Sequence, residues 1–239
     1  MKALCLTTLL CQAGLVFAEL HGTITGTTNY VSRMYSKSNG DPAIQGNIDY
    51  QHASGFYAGA SVSSFNLGRS EVNEDKKFNN QARAEIVPYL GWTFKPADNW
   101  RMDVQYSRYF YDGKIFEYLG DYNEFYVFLH YKDLVSAQVS FIDDFYGMGK
   151  ISYNYEITGR YPVTDFLEFS STFGYAKTEH VLFADYPYWN VGFTARYKFL
   201  AFDLRYHDAS EIYFTTQKSA PDHPETLQST LVFTISAGF

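Results

Sequence analysis

The side chains best suited to acid–base or metal chemistry near neutral pH are the six histidines, His21, His52, His130, His180, His207 and His223, and they are scattered singly along 239 residues. A lipase or acyltransferase site would need a serine, a histidine and an asparagine or aspartate brought to one place. His52 or His207 with nearby serines could supply those types only by coincidence, because geometry rather than presence defines such a site. Gly147-Met148-Gly149-Lys150 has the outline of the end of a phosphate loop, but Ile151 stands where Ser or Thr should be and Asp144 where the first glycine should be. It reads as a hairpin loop. No HExxH, CxxC, GxSxG or EF-hand pattern occurs. The sequence therefore predicts no enzyme, no metal site and no cofactor.

Charge narrows the partners. The formal net charge is −7 and no run of three Lys or Arg occurs, which argues against a nucleic-acid binder working by phosphate neutralisation. Glu71, Glu74 and Asp75 beside Arg69, Lys76 and Lys77 form a balanced, solvated loop rather than a binding site. Lys2, the apolar stretch from Ala3 to Phe17 and the small-residue end Val16-Phe17-Ala18 predict a secretory signal peptide over residues 1–18. The apolar run is shorter than the ~20 residues a membrane-spanning helix needs. Both cysteines, Cys5 and Cys11, fall in this segment, each preceded by leucine rather than the small residue of a lipoprotein signal. The remaining domain, residues 19–239, then has no thiol chemistry.

The elements that position the charged residues show a period of two. Asp49 belongs to a polar column, Gln45, Asn47, Asp49, Gln51, that interleaves with Ile44, Gly46, Ile48, Tyr50. Arg101 and Asp103 interleave with Trp100, Met102 and Val104; Arg196 faces away from Trp189, Val191, Phe193 and Ala195. Such segments predict strands near 22–33, 43–52, 56–65, 81–93, 100–111, 123–132, 135–142, 150–160, 166–176, 188–198, 201–207 and 226–239. Short connections alternate with mostly longer ones at 34–42, 66–80, 112–122, 143–149, 177–187 and 208–225. An even-numbered antiparallel meander of this kind predicts an all-β, up-and-down transmembrane barrel of about twelve strands.

A soluble barrel or sandwich would alternate too, and three features argue against it. Charges of both signs occupy the polar columns of most strands, so Asp49, Arg83, Glu85, Arg101, Asp103, Lys150, Glu156, Glu168, Arg196, Asp203 and Arg205 are expected to line the lumen. Trp92, Trp100, Tyr109, Tyr111, Tyr131, Tyr188, Trp189 and Tyr197 lie near strand ends, where interfacial girdles would place them. The last alternating strand ends on Phe239, as expected of an assembly signal read by the outer-membrane barrel-assembly machinery.

The stretches GTTNYVSR (26–33), DPAIQGNIDYQHASGFYAG (41–59), LGWTF (90–94) and FDLRYHDA (202–209) resemble the TorF family of proposed porins, also described as bacterial proteins of the Gcw_chp type. The resemblance spans essentially all of 19–239 and is strongest near its start. It implies an outer-membrane barrel of Gram-negative bacteria with a channel role. Where the family carries Arg-Gly-x-Ser-Gln after the first strand, this chain reads RMYSKSNG (33–40), so no loop-specific property is carried over; the family supplies no catalytic residues.

The expected function is a narrow, weakly cation-selective diffusion channel for small hydrophilic solutes, embedded in outer-membrane lipid. A non-conducting barrel serving as surface receptor, adhesin or envelope-structural protein is the alternative. Packing of the lumen discriminates the two: inward charges that pair across the pore would plug it and weaken the channel reading.

Overall fold

A strand that is apolar on one side and polar on the other can satisfy every backbone group and both faces at once if its sheet closes on itself. The computed structural model, which describes residues 19–73, 76–115, 118–182, 184–209 and 229–239, has that closure. Its twelve barrel strands are β1 (Glu19–Thr27), β2 (Ala43–Gln51), β3 (Phe56–Ser64), β4 (Ala84–Ala97), β5 (Trp100–Tyr111), β6 (Tyr122–Tyr131), β7 (Val135–Ile142), β8 (Ser152–Pro162), β9 (Leu167–Lys177), β10 (Tyr186–Tyr197), β11 (Leu200–Ala209) and β12 (Thr230–Gly238). Each pairs antiparallel with the next, and β12 returns to β1 with Gly238 opposite Thr23 and Thr234 opposite Thr27. Reciprocal backbone bonds between Gly22 and Phe239, at 2.8 and 2.9 Å, seal the end of that seam. The expected signal peptide, residues 1–18, and most of the expected 208–225 loop lie outside the described residues.

Strand ends divide the barrel into a turn end and a loop end. At the turn end the connections are tight; Lys132 and Asp133 both take positive φ, 49° and 56°, the conformation that matches the twist of a two-residue hairpin turn. Both the start of β1 and Phe239 lie at this end. At the loop end the chain adds short hairpins, Arg69–Asn73 with Lys76–Asn79 and Lys114–Ile115 with Tyr118–Leu119, a 3-10 turn at Phe145–Gly147, and one helical turn at Glu179–Leu182. The phosphate-loop look-alike is the end of that 3-10 turn.

The outward face is apolar along the full circumference: Ile24, Ile48, Leu90, Phe125, Phe193 and Phe233 are all exposed. Inward positions are mostly polar or small, with Val87, Phe128, Ile142 and Val232 among the exceptions, and inward glycines face the cross-strand tyrosines. Gly59 pairs with Tyr89 and Gly174 with Tyr188; a Cβ at Gly174 would stand 2.2 Å from the Tyr188 ring and one at Gly59 2.6 Å from both Tyr89 and the Ile48 carbonyl. The missing side chains let the rings lie against the wall.

Two expectations are corrected. The first strand stops at Thr27 rather than running to residue 33, and the 34–42 segment is not wholly a surface loop: residues 29–38 turn into the barrel, and 39–42 return exposed at its rim. The Thr27 hydroxyl bonds the Asn29 carbonyl at 2.9 Å as the chain leaves the wall, and Met34, 1% exposed, is buried inside. Apolar Val31 and Met34 and the rings of Tyr30 and Tyr35 would gain nothing from water, and the lumen offers them partners.

Candidate functional site

The segment 28–42 forms an inner hairpin, Val31 opposite Ser36 and Ser32 opposite Tyr35, with Arg33 and Met34 at its tip. Both tip residues have positive φ, 49° and 64°. Glycine or asparagine usually occupies such a turn, so the strain of placing Arg and Met there must be offset by contacts. The contacts are present. The Arg33 guanidinium donates to the Glu124 carboxylate and, at 3.1 Å, to the Ser140 hydroxyl, while the Tyr186 hydroxyl donates to the Arg33 carbonyl at 2.9 Å. At the base, Lys37 Nζ donates to Glu85 Oε2 at 2.7 Å, and the same carboxylate accepts from Tyr30 at 2.8 Å and from Tyr111 at 2.6 Å. Burial opposes the Lys37 charge, but the Glu85 carboxylate, aided by the Tyr30, Tyr122 and Tyr146 phenols, outweighs it, and the ammonium's pKa lies well above its ordinary value.

Tyrosines fill the space around the hairpin. Tyr109 stacks on Tyr122 with centroids 4.4 Å apart, Tyr146 meets Tyr122 edge-on at 5.4 Å, and Tyr35 meets Tyr186 edge-on at 5.9 Å. Only about 70 Å³ of cavity remains between hairpin, loops and wall. Towards the turn end the lumen opens into recesses of about 310 and 230 Å³, both bordered by Val31 and His207. The first also meets Tyr126, Gln138, Glu156 and Asn190, and the second Gln45, Asp203 and Arg205.

The charged residues singled out from the sequence pair mostly along the wall. Arg205 bonds Asp203 at 2.9 Å, Asn190 at 2.8 Å and Ser170 at 2.9 Å; Arg196 meets Glu168 at 3.5 Å; Arg101 meets Asp103 at 3.7 Å and Asp133 at 3.4 Å; Asp49 lies 3.6 Å from His21. Glu156 accepts from Tyr188 and, at 3.2 Å, from Asn154. Glu85 alone of the set is bound to the hairpin. Arg83 and Lys150 precede β4 and β8 and lie exposed on the loop-end rim, Arg83 donating to Asn66 at 2.8 Å.

Sequence reasoning missed the hairpin cations Arg33 and Lys37 and the inward tyrosines. Tyr109, Tyr111 and Tyr188 were expected in the aromatic girdles and instead face the lumen, whereas Trp92, Trp100, Tyr131, Trp189 and Tyr197 do face outward. Parity held the signal: Tyr109 and Tyr111 continue the column of Arg101 and Asp103, and Tyr188 that of Arg196. A hydrogen-bonded belt across five strands was also missed. Thr93 donates to Asp103, His130 joins Asp103 at 2.9 Å and Ser136 at 2.7 Å, and Arg160 donates to Ser136 at 2.7 Å.

The profile of one protein family matches residues 16–239. The chain belongs to the Gcw_chp family. That family is described as bacterial protein of unknown function. No curated protein sequence matches this Gcw_chp chain significantly. Among solved structures, a KdgM porin superposes with a TM-score of 0.53 at 8% identity, over 92% of this chain and 99% of the other. A NanC porin gives 0.53 at 9% over 91% and 98%, and the COG4313 outer membrane channel from Pseudomonas putida F1 gives 0.52 at 10% over 93% and 95%. At such identities these likenesses show that the Gcw_chp fold is the fold of those barrels.

Proposed function

We propose that this protein is a porin of the TorF type, a narrow diffusion channel for small hydrophilic solutes in the bacterial outer membrane. The observation that carries this reading is the division of the barrel wall: an apolar outer face suited to lipid, and a polar lumen with recesses of about 310 and 230 Å³ open below a constricting hairpin. The turn end faces the periplasm, the loop end faces outward, and Phe239 is the residue offered to the barrel-assembly machinery. The KdgM and NanC porins, which share the fold, support a transport role, and a KdgM porin has been seen with oligogalacturonate. Catalysis is not part of this reading. His130 does sit between Asp103 and Ser136, but the Ser136 oxygen also accepts from Arg160 and is buried, so the row works as a wall belt.

One observation favours the second reading, a closed barrel acting as receptor, adhesin or envelope-structural protein: Arg33 and Lys37 do pair with wall carboxylates across the loop-end lumen. Planar-bilayer recording separates the two. The full chain should give small single-channel steps, and a variant with residues 30–38 replaced by a glycine-serine linker should give steps severalfold larger. Silence from both folded proteins would leave the second reading standing.

A further inference from the structure

Glu156, in the inward column of β8, stands apart from the other carboxylates of the wall. Every other inward Asp or Glu of the barrel strands lies within 3.6 Å of a lysine, arginine or histidine, from Glu19 and Asp49 beside His21 to Asp203 beside Arg205. Glu156 has no such cation beside it among the described residues. Its Oε1 accepts from the Tyr188 hydroxyl and, at 3.2 Å, from Asn154, while Oε2 receives no hydrogen bond from the described residues. The wall therefore carries one carboxylate whose counter-charge must come from the lumen, and it lines the 310 Å³ recess.

Around it the recess is built to hydrogen-bond. Five consecutive strands, β7 to β11, each supply one inward side chain: Gln138, Glu156, Thr172, Asn190 and His207. Gln138 stands directly opposite Glu156, and Asn190 opposite both Thr172 and His207. Neither the Gln138 amide nor the His207 ring makes a hydrogen bond among the described residues, and Asn190, whose Oδ1 accepts from Arg205, has its Nδ2 hydrogens left over. The two guanidinium groups nearby are already matched, Arg33 by Glu124 and Arg205 by Asp203. A ligand complementary to this recess brings one positive charge with N–H donors to Glu156 and hydroxyls to the groups beside it. A carboxylate or phosphate would meet the unmatched charge of Glu156, and an uncharged sugar would forgo it. A divalent metal ion would want several acidic ligands, and no three His, Cys, Asp or Glu among the described residues come together to hold one. Adjacent strands lie about 4.8 Å apart, so a six-membered ring with its ammonium at Glu156 extends to Gln138 on one side or towards Thr172 and Asn190 on the other.

We propose that the recess at Glu156 is a binding site for small hydroxylated amines, amino sugars in particular, with Glu156 holding the ammonium and Gln138 and Asn190 the hydroxyls. This rests on the channel reading for its purpose but not for its test. The full chain, folded in a detergent without a sugar headgroup, is titrated at pH 7 with glucosamine, glucose and glucuronate by calorimetry, which needs no conduction. Glucosamine should bind, glucose about tenfold more weakly and glucuronate least. Glu156→Gln keeps the shape and removes the charge, and should weaken glucosamine about tenfold, to the level of glucose, in line with the loss of a hydrogen bond to a charged group. Glu19→Gln, a carboxylate outside the recess, should leave the affinity unchanged. Retained heat-modifiability shows that each variant is folded. No binding by the folded wild type, glucose or glucuronate binding as tightly as glucosamine, unchanged affinity in Glu156→Gln, or an equal loss in Glu19→Gln overturns the proposal. Binding without bilayer conductance would overturn the channel reading and leave the site, and conductance without binding the reverse.

Discussion

At the loop end, Glu85 and Glu124 are each 1% exposed and take their counter-charges from a separate segment, the inner hairpin, reaching in from the β1–β2 connection. At the turn end, Glu168, Asp103 and Asp203 remain partly exposed and take theirs from the same or an adjacent strand. One alternating wall thus supports two kinds of interior. Where a second layer covers the wall, the charges become a specific lock that excludes water; where none does, the charges stay solvated and arrange themselves in short ladders that leave the middle open. Width in this barrel depends on what is laid over the strands as well as on how many there are.

The sharpest way to break that contrast is to remove one cation from each half. Lys37→Met leaves the Glu85 carboxylate buried without its partner, a loss of about 3 to 5 kcal/mol. Arg196→Met, beside Glu168, removes a half-exposed pair worth about 0 to 1 kcal/mol. Urea unfolding followed by gel mobility should show a large shift of midpoint for the first and almost none for the second. Equal shifts would mean that the two halves are equally wet.

The contrast also presumes that the inward column is correctly identified. Val191→Arg would put a charge on the outer face in the middle of β10, at about 2 to 4 kcal/mol near the bilayer midplane. Thr194 faces inward, paired with Glu168 and Asp203, so Thr194→Arg meets two carboxylates and should fold nearly as well as the wild type. The yield of heat-modifiable barrel distinguishes them, and similar losses for both would mean that the faces are reversed.

The smallest effect expected is on ion preference. Acidic loop residues sit at the mouth, but Asp112 and Asp121 already accept backbone N–H groups, and the lumen charges are nearly balanced. Reversal potentials under a KCl gradient should show a weak cation preference that fades as the Debye length falls from about 10 Å at 0.1 M to about 3 Å at 1 M. Anion preference would place the selecting charges in the arginine-bearing turn half instead.

Much of the wall was legible in the sequence because its signal is local. Arg101, Asp103 and their interleaved Trp100, Met102 and Val104 state the strand and its two faces within five residues. Even the closure could be anticipated from strand count and loop alternation. The hairpin was not legible for the opposite reason. Ser38-Asn39-Gly40-Asp41 announce a turn but say nothing of which side of the wall the turning chain goes to, and Arg33 meets Glu124 and Tyr186 only in the folded barrel. The tyrosines show a different failure. Residue type suggested girdles for Tyr109, Tyr111 and Tyr188, while parity, the stronger constraint, already assigned them to the interior.

The inner hairpin also carries information about time. It follows the first barrel strand, yet its contacts lie on β4, β6, β7 and β10, up to 153 residues further along the chain. None of those partners exists as a site until its strand has paired with its neighbours, so the segment must wait while most of the wall is assembled. Its seating is a late event that reports completion. A barrel stalled with β10 unpaired would leave the Arg33 carbonyl without the Tyr186 hydroxyl, and the strained tip of the hairpin would therefore be marked, chemically, as unfinished.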